Sequence, residues 1–526
     1  MADHFRFYPN AEDTITPWNA RYQYPSQSNA ARKVTPRIPP VNGMVFGANY
    51  GKYIKVQFPA QGYVNPTNTT LTFDVTLTGY SQSSAVEQVR FQNNIQSIFK
   101  RVKWMYGSTP GEDIDDYNVM VRNLTEWTAS NAYGTMDSTS INEGIGGVVV
   151  GRTLTAGDPS PVQSGAALVN ARQAYIQGID NTDAALGFGG VPNRHNHSLL
   201  TATYGTNACT RRYQVSLMLG LLTQEKLIPT KFMASQLSIE IELASPEECI
   251  IVAYNGTTDN LAPPTYLVHN IQLIPEIINF DPSYDEMFIR GLSQGGVPIK
   301  FGTWHTFRTS TAGSSVINFP IHERGRSIKS LFAVQRRQVP VYGRDMGATP
   351  NASNGIMQSY QYRIGGEYYP AAPVELSMSP SSKVSNGGTE AWLELQKALN
   401  TVGDYRLSSA INTLRWHAPY SAVLCETDFA GTIIRGDQTE PYAQTVVAPT
   451  SKQQAGNMGS HHFAAAISLE ATNGTEISGL NAQEQSDITF MARYSESQLA
   501  DYQIFVFAYI DKMIILRENN VMEMVE

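Results

Sequence analysis

Nine consecutive residues alternate strictly between polar and apolar side chains, and this pattern constrains the fold more than any other feature of the sequence. The stretch runs from Thr70 to Thr78 and places Leu71, Phe73, Val75 and Leu77 at every second position. A period of two matches a β-strand, in which successive side chains point to opposite faces. The pattern therefore predicts a sheet with one buried face and one wet face.

Other stretches share this period, and polar loops rather than regularly alternating helices separate them. The absence of a strand–helix–strand rhythm argues against a parallel α/β sheet. The sequence therefore predicts an all-β protein built from antiparallel sandwiches, with strands that begin near Lys52. The further predicted strands are residues 53–58, 93–104, 213–221, 237–243 and 266–278.

Two amphipathic helices are predicted among the strands. Thr109-Pro110-Gly111-Glu112 has the spacing of a capping box with proline at the first helical position. A second helix is expected from Thr389 to Gly403, and long polar excursions at 128–210 and 370–460. The predicted buried stripes are Ile114, Tyr117, Val121 and Leu124 in the first helix and Trp392, Leu395, Leu399 and Val402 in the second.

A short helical stretch divides the chain into similar halves. Asp281 suits an N-cap, Pro282 suits the next position, and Gly295-Gly296 suits the end of a helix. Because 526 residues exceed what one core supports, more than one domain is expected. The predicted division is an extended arm at 1–48, a first sandwich at 49–280, a connector helix at 281–296 and a second sandwich at 297–526.

Weak internal repeats favour two similar domains. Ile95-Gln96-Ser97-Ile98-Phe99 recurs as Ile328-Lys329-Ser330-Leu331-Phe332, an offset of 233 from position 95 to position 328. The strand from Tyr266 has a counterpart from Tyr502, an offset of 236. The two predicted helices do not share this offset, which weakens the match. The nearly equal offsets predict duplicated sandwiches.

The composition indicates a protein that contacts other proteins. Charged residues make up 16% of the chain, against about a quarter in typical soluble proteins, and 27 residues are tyrosine. Few charges and many tyrosines are typical of protein–protein interfaces. The net charge of −8 argues against a folded surface that coats nucleic acid. Three scattered cysteines, Cys209, Cys249 and Cys425, and no basic-then-apolar leader predict folding in a reducing cell interior.

Catalytic and metal-binding patterns are weak. His195-Asn196-His197 and Cys209 lack the further ligands of a zinc site, and His461-His462 lacks them too. The acidic run Glu112–Asp116 lacks the spacing of a calcium-binding loop, and helix capping accounts for it. No phosphate-binding glycine loop or nucleophile elbow occurs. The sequence therefore predicts no catalytic residue, no metal site, no cofactor and no small-molecule substrate.

Three regions carry a resemblance to a known family: residues 93–106, residues 237–243 running on to 266–280, and residues 360–370, where tyrosines precede a Gly-Gly break and Tyr-Tyr-Pro. With the tandem sandwiches, the sequence resembles the double jelly-roll major capsid proteins, most closely those of polinton-like viruses and virophages. The resemblance implies two tandem eight-stranded jelly rolls. It also implies homotrimeric, pseudo-hexagonal capsomers that tile an icosahedral virion shell, assembled in the host cell.

The implied partners are neighbouring capsomers, penton proteins and other minor capsid proteins. The amino-terminal arm is rich in proline and aromatic residues and carries one basic cluster, Arg32, Lys33 and Arg37. The hypothesis is that it docks on neighbouring subunits or minor proteins at the inner face of the shell, where the cluster would meet an inner membrane or the genome.

Two other functions stay open at this point. A double-sandwich hydrolase acting on glycans would need two carboxylates about 5–10 Å apart in the cleft between the lobes. Asp281, Asp285 and Glu286 are the candidates, although helix capping already accounts for them. A cell-surface lectin is the third alternative, disfavoured by the absence of a leader and of a disulfide framework.

Overall fold

The computed structural model describes residues 31–47, 50–78, 86–91, 95–128, 209–254, 265–311, 313–337, 357–376, 389–400, 426–427, 433–434, 463–470, 478–483, 487–494, 502–517 and 522–525. Antiparallel strands dominate these ranges, and the helices are short. The predicted all-β class is confirmed.

The first half of the chain forms two sheets. One sheet has the order β1-β11-β4-β8, with β2 also paired to β11, and the other has the order β3-β9-β6-β7. A separate ribbon joins β5 and β10. The strands are β1 Ala31–Val34, β2 Val45–Gly47, β3 Tyr53–Gln57, β4 Tyr63–Thr78, β5 Val86–Phe91, β6 Phe99–Tyr106, β7 Thr109–Ile114, β8 Cys209–Val215, β9 Leu237–Leu243, β10 Ile250–Tyr254 and β11 Thr265–Phe280.

The second half repeats the arrangement. Its sheets have the orders β12-β21-β14-β19, with β22 added on β21, and β13-β20-β15-β16, and a ribbon joins β17 and β18. The strands are β12 Val297–Ser310, β13 Val316–Ile321, β14 Ile328–Arg337, β15 Met357–Ile364, β16 Glu367–Glu375, β17 Glu426–Thr427, β18 Ile433–Ile434, β19 Ala465–Ser468, β20 Ile488–Tyr494, β21 Tyr502–Leu516 and β22 Met522–Val525.

Both halves follow one strand order. With β1 and β2 counted together as the first strand, and with the ribbons and the added strand β22 set aside, each half has eight strands among the described residues. Their order is 1-8-3-6 in one sheet and 2-7-4-5 in the other. The sheets of each half enclose a core: Phe73 and Phe99, from opposite sheets of the first half, have ring centroids 5.5 Å apart. In the second half the Tyr362 hydroxyl of one sheet donates to the Ala465 carbonyl of the other at 2.7 Å.

The alternating stretch forms most of β4, but its polar face is not wet. Leu71, Phe73 and Val75 are buried as predicted, and Thr72, Asp74 and Thr76 are also at most 9% exposed. The reason is that β4 lies inside the sheet, between β11 and β8. Polar neighbours on those strands cover it: Arg212 and Asn270 donate to Asp74 at 2.7 and 2.8 Å.

The helices are α1 Tyr117–Thr128, α2 Gly220–Thr223, α3 Pro246–Cys249, α4 Pro282–Ser293 and α5 Thr389–Ala398, with 3₁₀ turns at Ile95–Ile98 and Thr230–Phe232. The helix predicted from Thr389 is present and buries Leu395, with Trp392 and Leu399 half-buried. Val402 and Gly403 lie outside the described residues.

The capping box predicted at Thr109–Glu112 is wrong. These residues form strand β7, paired with β6, and the first helix begins at Tyr117. Gly111 lies against the indole of Trp104, and the Glu112 side chain is buried, so long-range packing overrides the local cap pattern. Of the predicted stripe, Ile114 is buried from the strand, while Tyr117 and Val121 are buried and Leu124 half-buried from α1.

Two predicted strands are shorter than expected. The strand predicted over 213–221 ends at Val215, and the chain then turns into α2. The strand predicted from residue 93 begins at Phe99, after the 3₁₀ turn. Both segments contain buried apolar residues that face the core from irregular backbone, which a period of two cannot represent.

The expectation that strands begin near Lys52 is also wrong. Ala31–Val34 pairs with Phe280 through Ile277 of β11, Ile38 bridges to Leu273, and Val45–Gly47 pairs with Leu267–His269. Residues 31–47 of the predicted arm therefore occupy the first strand position of the first sandwich. Residues 1–30 lie outside the described part of the chain.

One of the two repeats joins equivalent strands and the other does not. The strands that contain Tyr266 and Tyr502, β11 and β21, are each the eighth strand of a sandwich. Residues 95–99, by contrast, lead into the fourth strand of the first sandwich, whereas residues 328–332 lie in the third strand of the second. The duplication appears in the strand order rather than in that five-residue match.

Candidate functional site: the seam between the sandwiches

The structure does not test the histidine pairs that the sequence analysis discounted as metal ligands. Among the residues that the structure describes, no group of three His, Cys, Asp or Glu side chains could hold a metal ion. His195, His197, His461 and His462 lie outside the described residues, and Cys209 begins β8. Likewise, no helix described here is long and apolar enough to cross a membrane.

The connector carboxylates make structural contacts. Asp281 is the N-cap of α4, as predicted, and accepts from the Ser283 amide at 3.0 Å and the Ser283 hydroxyl at 2.7 Å. These two donors lower the pKa of Asp281. Asp285 accepts from the Tyr63 hydroxyl at 3.0 Å and pairs with Lys231. Glu286 is exposed.

Aromatic rings fix α4 to the first sandwich. The ring of Tyr63, on β4, lies 5.6 Å from those of Tyr284 and Phe288 on the helix and 5.2 Å from that of Phe280 on β11. Burial, followed by the bond to Asp285, raises the pKa of Tyr63. The carboxylates proposed for a glycan hydrolase therefore anchor or flank a docked helix.

The sandwiches themselves meet at a buried carboxylate. Glu112 of β7 is 1% exposed. One of its oxygens accepts from the Gly220 amide at 2.9 Å and from the Thr303 hydroxyl of β12 at 2.5 Å, and the other accepts from the Trp104 indole N–H at 3.1 Å. Three donors from separate elements thus converge on one side chain, and one donor belongs to the second sandwich. We call this contact, with Phe301 and Gly302, the seam.

Among the described residues, Glu112 is held by hydrogen bonds rather than by an ion pair. Burial raises the pKa of Glu112, and the bonds from Thr303, Gly220, Leu221 and Trp104 oppose that rise. Each carboxylate oxygen receives at least one donor, so the side chain is committed to holding the two sandwiches together.

Glycines bring the two backbones into contact at the seam. A Cβ on Gly220 would lie 2.0 Å from the Gly302 carbonyl oxygen and 2.7 Å from a ring carbon of Phe301. A Cβ on Gly302 would lie 2.1 Å from the Tyr509 hydroxyl. Only a residue without a side chain fits at either position. The contact of Gly220 is the one that crosses between the sandwiches, and there they approach more closely than ordinary side chains allow.

Aromatic and polar contacts extend the seam on both sides. Trp127 of α1 stacks on Phe332 of β14, with ring centroids 5.4 Å apart and planes 20° apart. The Thr306 hydroxyl donates to the Asp115 carbonyl at 2.8 Å. The buried Asp116 pairs with Arg308 of β12 at 3.7 Å. The seam is therefore a packed interior surface, and its contacts hold the two sandwiches in a fixed relative position.

No protein-family model matches the sequence, and no curated protein matches it. The crystal structure of the mavirus major capsid protein is similar over 100% of this chain and 95% of that chain, with a TM-score of 0.51 and 9% identity. A chain in the 3.5 Å cryo-EM structure of the Sputnik virophage is similar over 98% of this chain and 92% of that chain, with a TM-score of 0.51 and 11% identity. The chain has the double jelly-roll fold.

Sequence reasoning missed the residues that join the two jelly rolls. Glu112, Gly220 and Thr303 lie far apart in sequence, and no local period connects them. A local signal did exist for the hairpin that carries Glu112. Gly107-Ser108 separates β6 from β7. A glycine in a two-residue link between strands is typical of a tight hairpin turn, and Gly107 has the positive φ, 59°, that such a turn requires.

Proposed function

We propose that this chain is a major capsid protein that builds the shell of an icosahedral virion. The observation that carries the proposal is the similarity to the mavirus major capsid protein over almost the whole of both chains. The role is structural rather than enzymatic, and it places the protein in the virion after assembly in the host cell.

The proposed building block is a homotrimer with a pseudo-hexagonal outline. Three copies of a chain with two similarly ordered sandwiches present six similar lobes around one axis, which approximates a hexagon. A rigid seam supports this proposal because it fixes the two lobes of each chain relative to one another. The charge-poor, tyrosine-rich composition supports extensive contact with neighbouring capsomers, penton proteins and other minor capsid proteins.

The domain division is also a proposal. The two sandwiches are taken as domains joined by α4, with the boundary near residues 281–296. The first domain then includes residues 31–47, since these pair with β11. Only residues 1–30 are left for a separate arm that docks on neighbouring subunits or minor proteins at the inner face.

The first test is the mass of the purified protein. Light scattering should find a species of about 174 kDa, three times the chain mass of 57.9 kDa. Electron microscopy of material expressed with its minor proteins should show closed shells. A stable monomer that forms no shells under any of these conditions would contradict the proposal.

A second measurement separates this role from the hydrolase alternative. Replacing Asp285 and Glu286 with alanine should leave particle assembly intact, because these residues lie on the connector helix and outside the seam. Glycan hydrolysis by the purified protein that disappears in the same variants would favour the enzyme instead.

A further inference from the structure

The connector helix α4 presents apolar side chains to solvent. Met287 is 69% exposed, Ile289 is 50% exposed and Tyr284 is 42% exposed. Single exposed apolar residues are ordinary on protein surfaces, but three of them on one helix of 12 residues form a group. A group of this kind indicates a surface that binds another molecule.

The opposite side of α4 is anchored to the body of the protein. Leu292 is buried in a small apolar cluster, and the ring of Phe288 lies 5.1 Å from that of Phe232. Asp285 accepts from the Tyr63 hydroxyl at 3.0 Å. The exposed side chains are therefore presented from a fixed backbone, so binding would order few additional groups.

Two charged residues lie between the exposed apolar side chains. At about 3.6 residues per turn, Glu286 and Arg290 lie on the side of α4 opposite its buried face, and Met287 and Ile289 lie on the two flanks. Glu286 and Arg290 are both exposed, and neither makes an ion pair within the part of the chain that the structure describes. Both charges are therefore available to a partner.

The order of these side chains is complementary to itself. In an antiparallel pair of helices related by a twofold axis beside Phe288, a position before residue 288 faces the position equally far after it in the other copy. Glu286 of each copy then faces Arg290 of the other, while Met287 meets its own counterpart on one flank and Ile289 meets its own on the other. We propose that α4 pairs in this way with α4 of a second copy of the chain.

The balance of charge favours a second copy over other partners. Nucleic acid and acidic lipid bind surfaces with an excess of positive charge, whereas Glu286 and Arg290 cancel. A threefold ring contains no twofold axis, so a contact of this symmetry joins separate trimers rather than the chains of one trimer. The inference rests on the proposed capsid function only for this location, between neighbouring capsomers.

A single contact of this kind is weak. With 12 residues, α4 is about 18 Å long, so a pair of such helices covers far less than the roughly 1,200 Å² that a stable interface buries. Exposed ion pairs also contribute little, so Glu286→Ala removes a small attraction and is compatible with the closed particles expected above. Many copies in one shell would add their contacts, and the sum would bind far more tightly than one pair.

The test uses charge reversal and measures association between oligomers. The full-length protein, in its purified oligomeric state, is followed by sedimentation velocity over a concentration series. The wild type should associate further as the concentration rises, and added salt should weaken this association. Glu286→Arg and Arg290→Glu should each lower the association constant by about tenfold or more, because each variant places like charges opposite one another.

Restored complementarity separates a paired helix from a merely charged surface. The double variant Glu286→Arg with Arg290→Glu should associate like the wild type, because the exchanged charges again face opposite charges across the twofold axis. An equimolar mixture of the two single variants should also associate, since one helix then carries two arginines and the other two glutamates. Ile289→Ser should weaken the association by about fivefold, because it removes apolar contact on one flank.

Matched controls lie elsewhere on the surface. Glu225 and Lys300 are exposed, and Val316 is 52% exposed, close to the exposure of Ile289. Glu225→Arg, Lys300→Glu and Val316→Ser should therefore associate like the wild type, and every variant should keep the wild-type melting temperature.

A cysteine cross-link tests the symmetry directly. Met287→Cys should form a disulfide between two copies on mild oxidation, because this position faces its own counterpart in the proposed pair. Val316→Cys is the control, and the wild type gives the background from the native cysteines at 209, 249 and 425.

Three results would overturn the inference. The first is a wild type that shows no further association together with a Met287→Cys variant that forms no cross-link above background. The second is a double charge exchange that stays as defective as the single reversals. The third is an equal loss of association in the controls. These readouts need no shell, so failure here leaves the capsid proposal to be judged by oligomer mass and particle formation.

Discussion

The two jelly rolls share one strand order, but their first strands differ in continuity and their fifth strands differ in burial. In the second jelly roll the first strand is β12, which pairs with β21 without interruption from Val297 to Ser310. In the first jelly roll the same place beside β11 is taken by β1, the bridge at Ile38, and β2. Prolines at 36, 39 and 40 lie between these pieces, and proline lacks the N–H that a continuous ladder uses.

The fifth strands differ in burial. β7 of the first jelly roll buries Gly111, Glu112 and Ile114, whereas β16 of the second is mostly exposed and buries only Val374. The helices after these strands differ as well. Trp127 of α1 stacks across the seam on Phe332, whereas α5 packs against strands of its own jelly roll. The comparison shows that topology sets where a strand lies, while contact with the other lobe sets which side chains it buries.

The largest effect should come from the buried carboxylate of β7. Glu112→Ala would leave its buried donors without an acceptor and open a cavity, so we expect a loss of about 3–5 kcal/mol in the free energy of unfolding. The matched change on the other fifth strand, Glu375→Ala, should cost less than about 0.5 kcal/mol because Glu375 is exposed. Denaturant titration of both variants measures the difference. Similar losses would mean that the two strands are energetically alike.

A pH series with Glu112→Gln sharpens the same comparison. Burial raises the pKa of Glu112, so the native protein binds this proton more tightly than the unfolded chain does. The contribution to stability is therefore most favourable below the unfolded glutamate pKa of about 4.3 and falls as the pH rises towards the native value. The variant cannot titrate, so the stability of the wild type relative to the variant should fall from pH 4 to pH 7. A rise over this range would contradict the assignment.

The next effect concerns the close approach of the two backbones. Gly220→Ala should cost about 2–3 kcal/mol, since the added methyl would meet the Gly302 carbonyl and the Phe301 ring. Gly291→Ala is the control because no atom lies within 4 Å of its Cβ position in α4, and we expect a gain of about 0.5–1 kcal/mol from helix propensity. Thermal unfolding of both variants checks this. If Gly220→Ala left the melting temperature unchanged, the backbones at the seam would be able to move apart at little cost.

The smallest expected effect concerns the interrupted first strand. Deleting residues 2–40 removes β1, the two backbone hydrogen bonds between Ile38 and Leu273, and the Lys33–Glu276 pair. A loss of about 2 kcal/mol follows, modest because all four residues of β1 are exposed. Deleting residues 2–30 removes none of these contacts and serves as the control. If both truncations melt alike, β1 contributes nothing to the first jelly roll.

Some periodic segments and one capped helix were predictable from the sequence. The strand Leu237–Leu243 has the predicted bounds, β11 extends the predicted strand by one residue at its start and two at its end, and Asp281 caps α4 as its neighbours indicate. These features depend on alternation or on a cap within a few residues, and such information is contained in the local sequence. The irregular first strand and the turn at Ile95–Ile98 carry no such period, so the predictions failed there.

The sequence by itself determined the all-β class, the two similar halves and the helix between them, because burial of one strand face and capping of a helix act over a few neighbouring residues. Only the tertiary structure decided that the polar face of β4 is covered, that residues 31–47 complete the first sheet, and that Glu112 belongs to a seam rather than to a helix cap. Each of those outcomes depends on a partner more than 90 residues away, such as Arg212 for Asp74, β11 for β1 and Thr303 for Glu112. Burial and hydrogen bonds between residues so far apart in sequence depend on how the whole chain packs. That packing outweighs the local preference of any short segment.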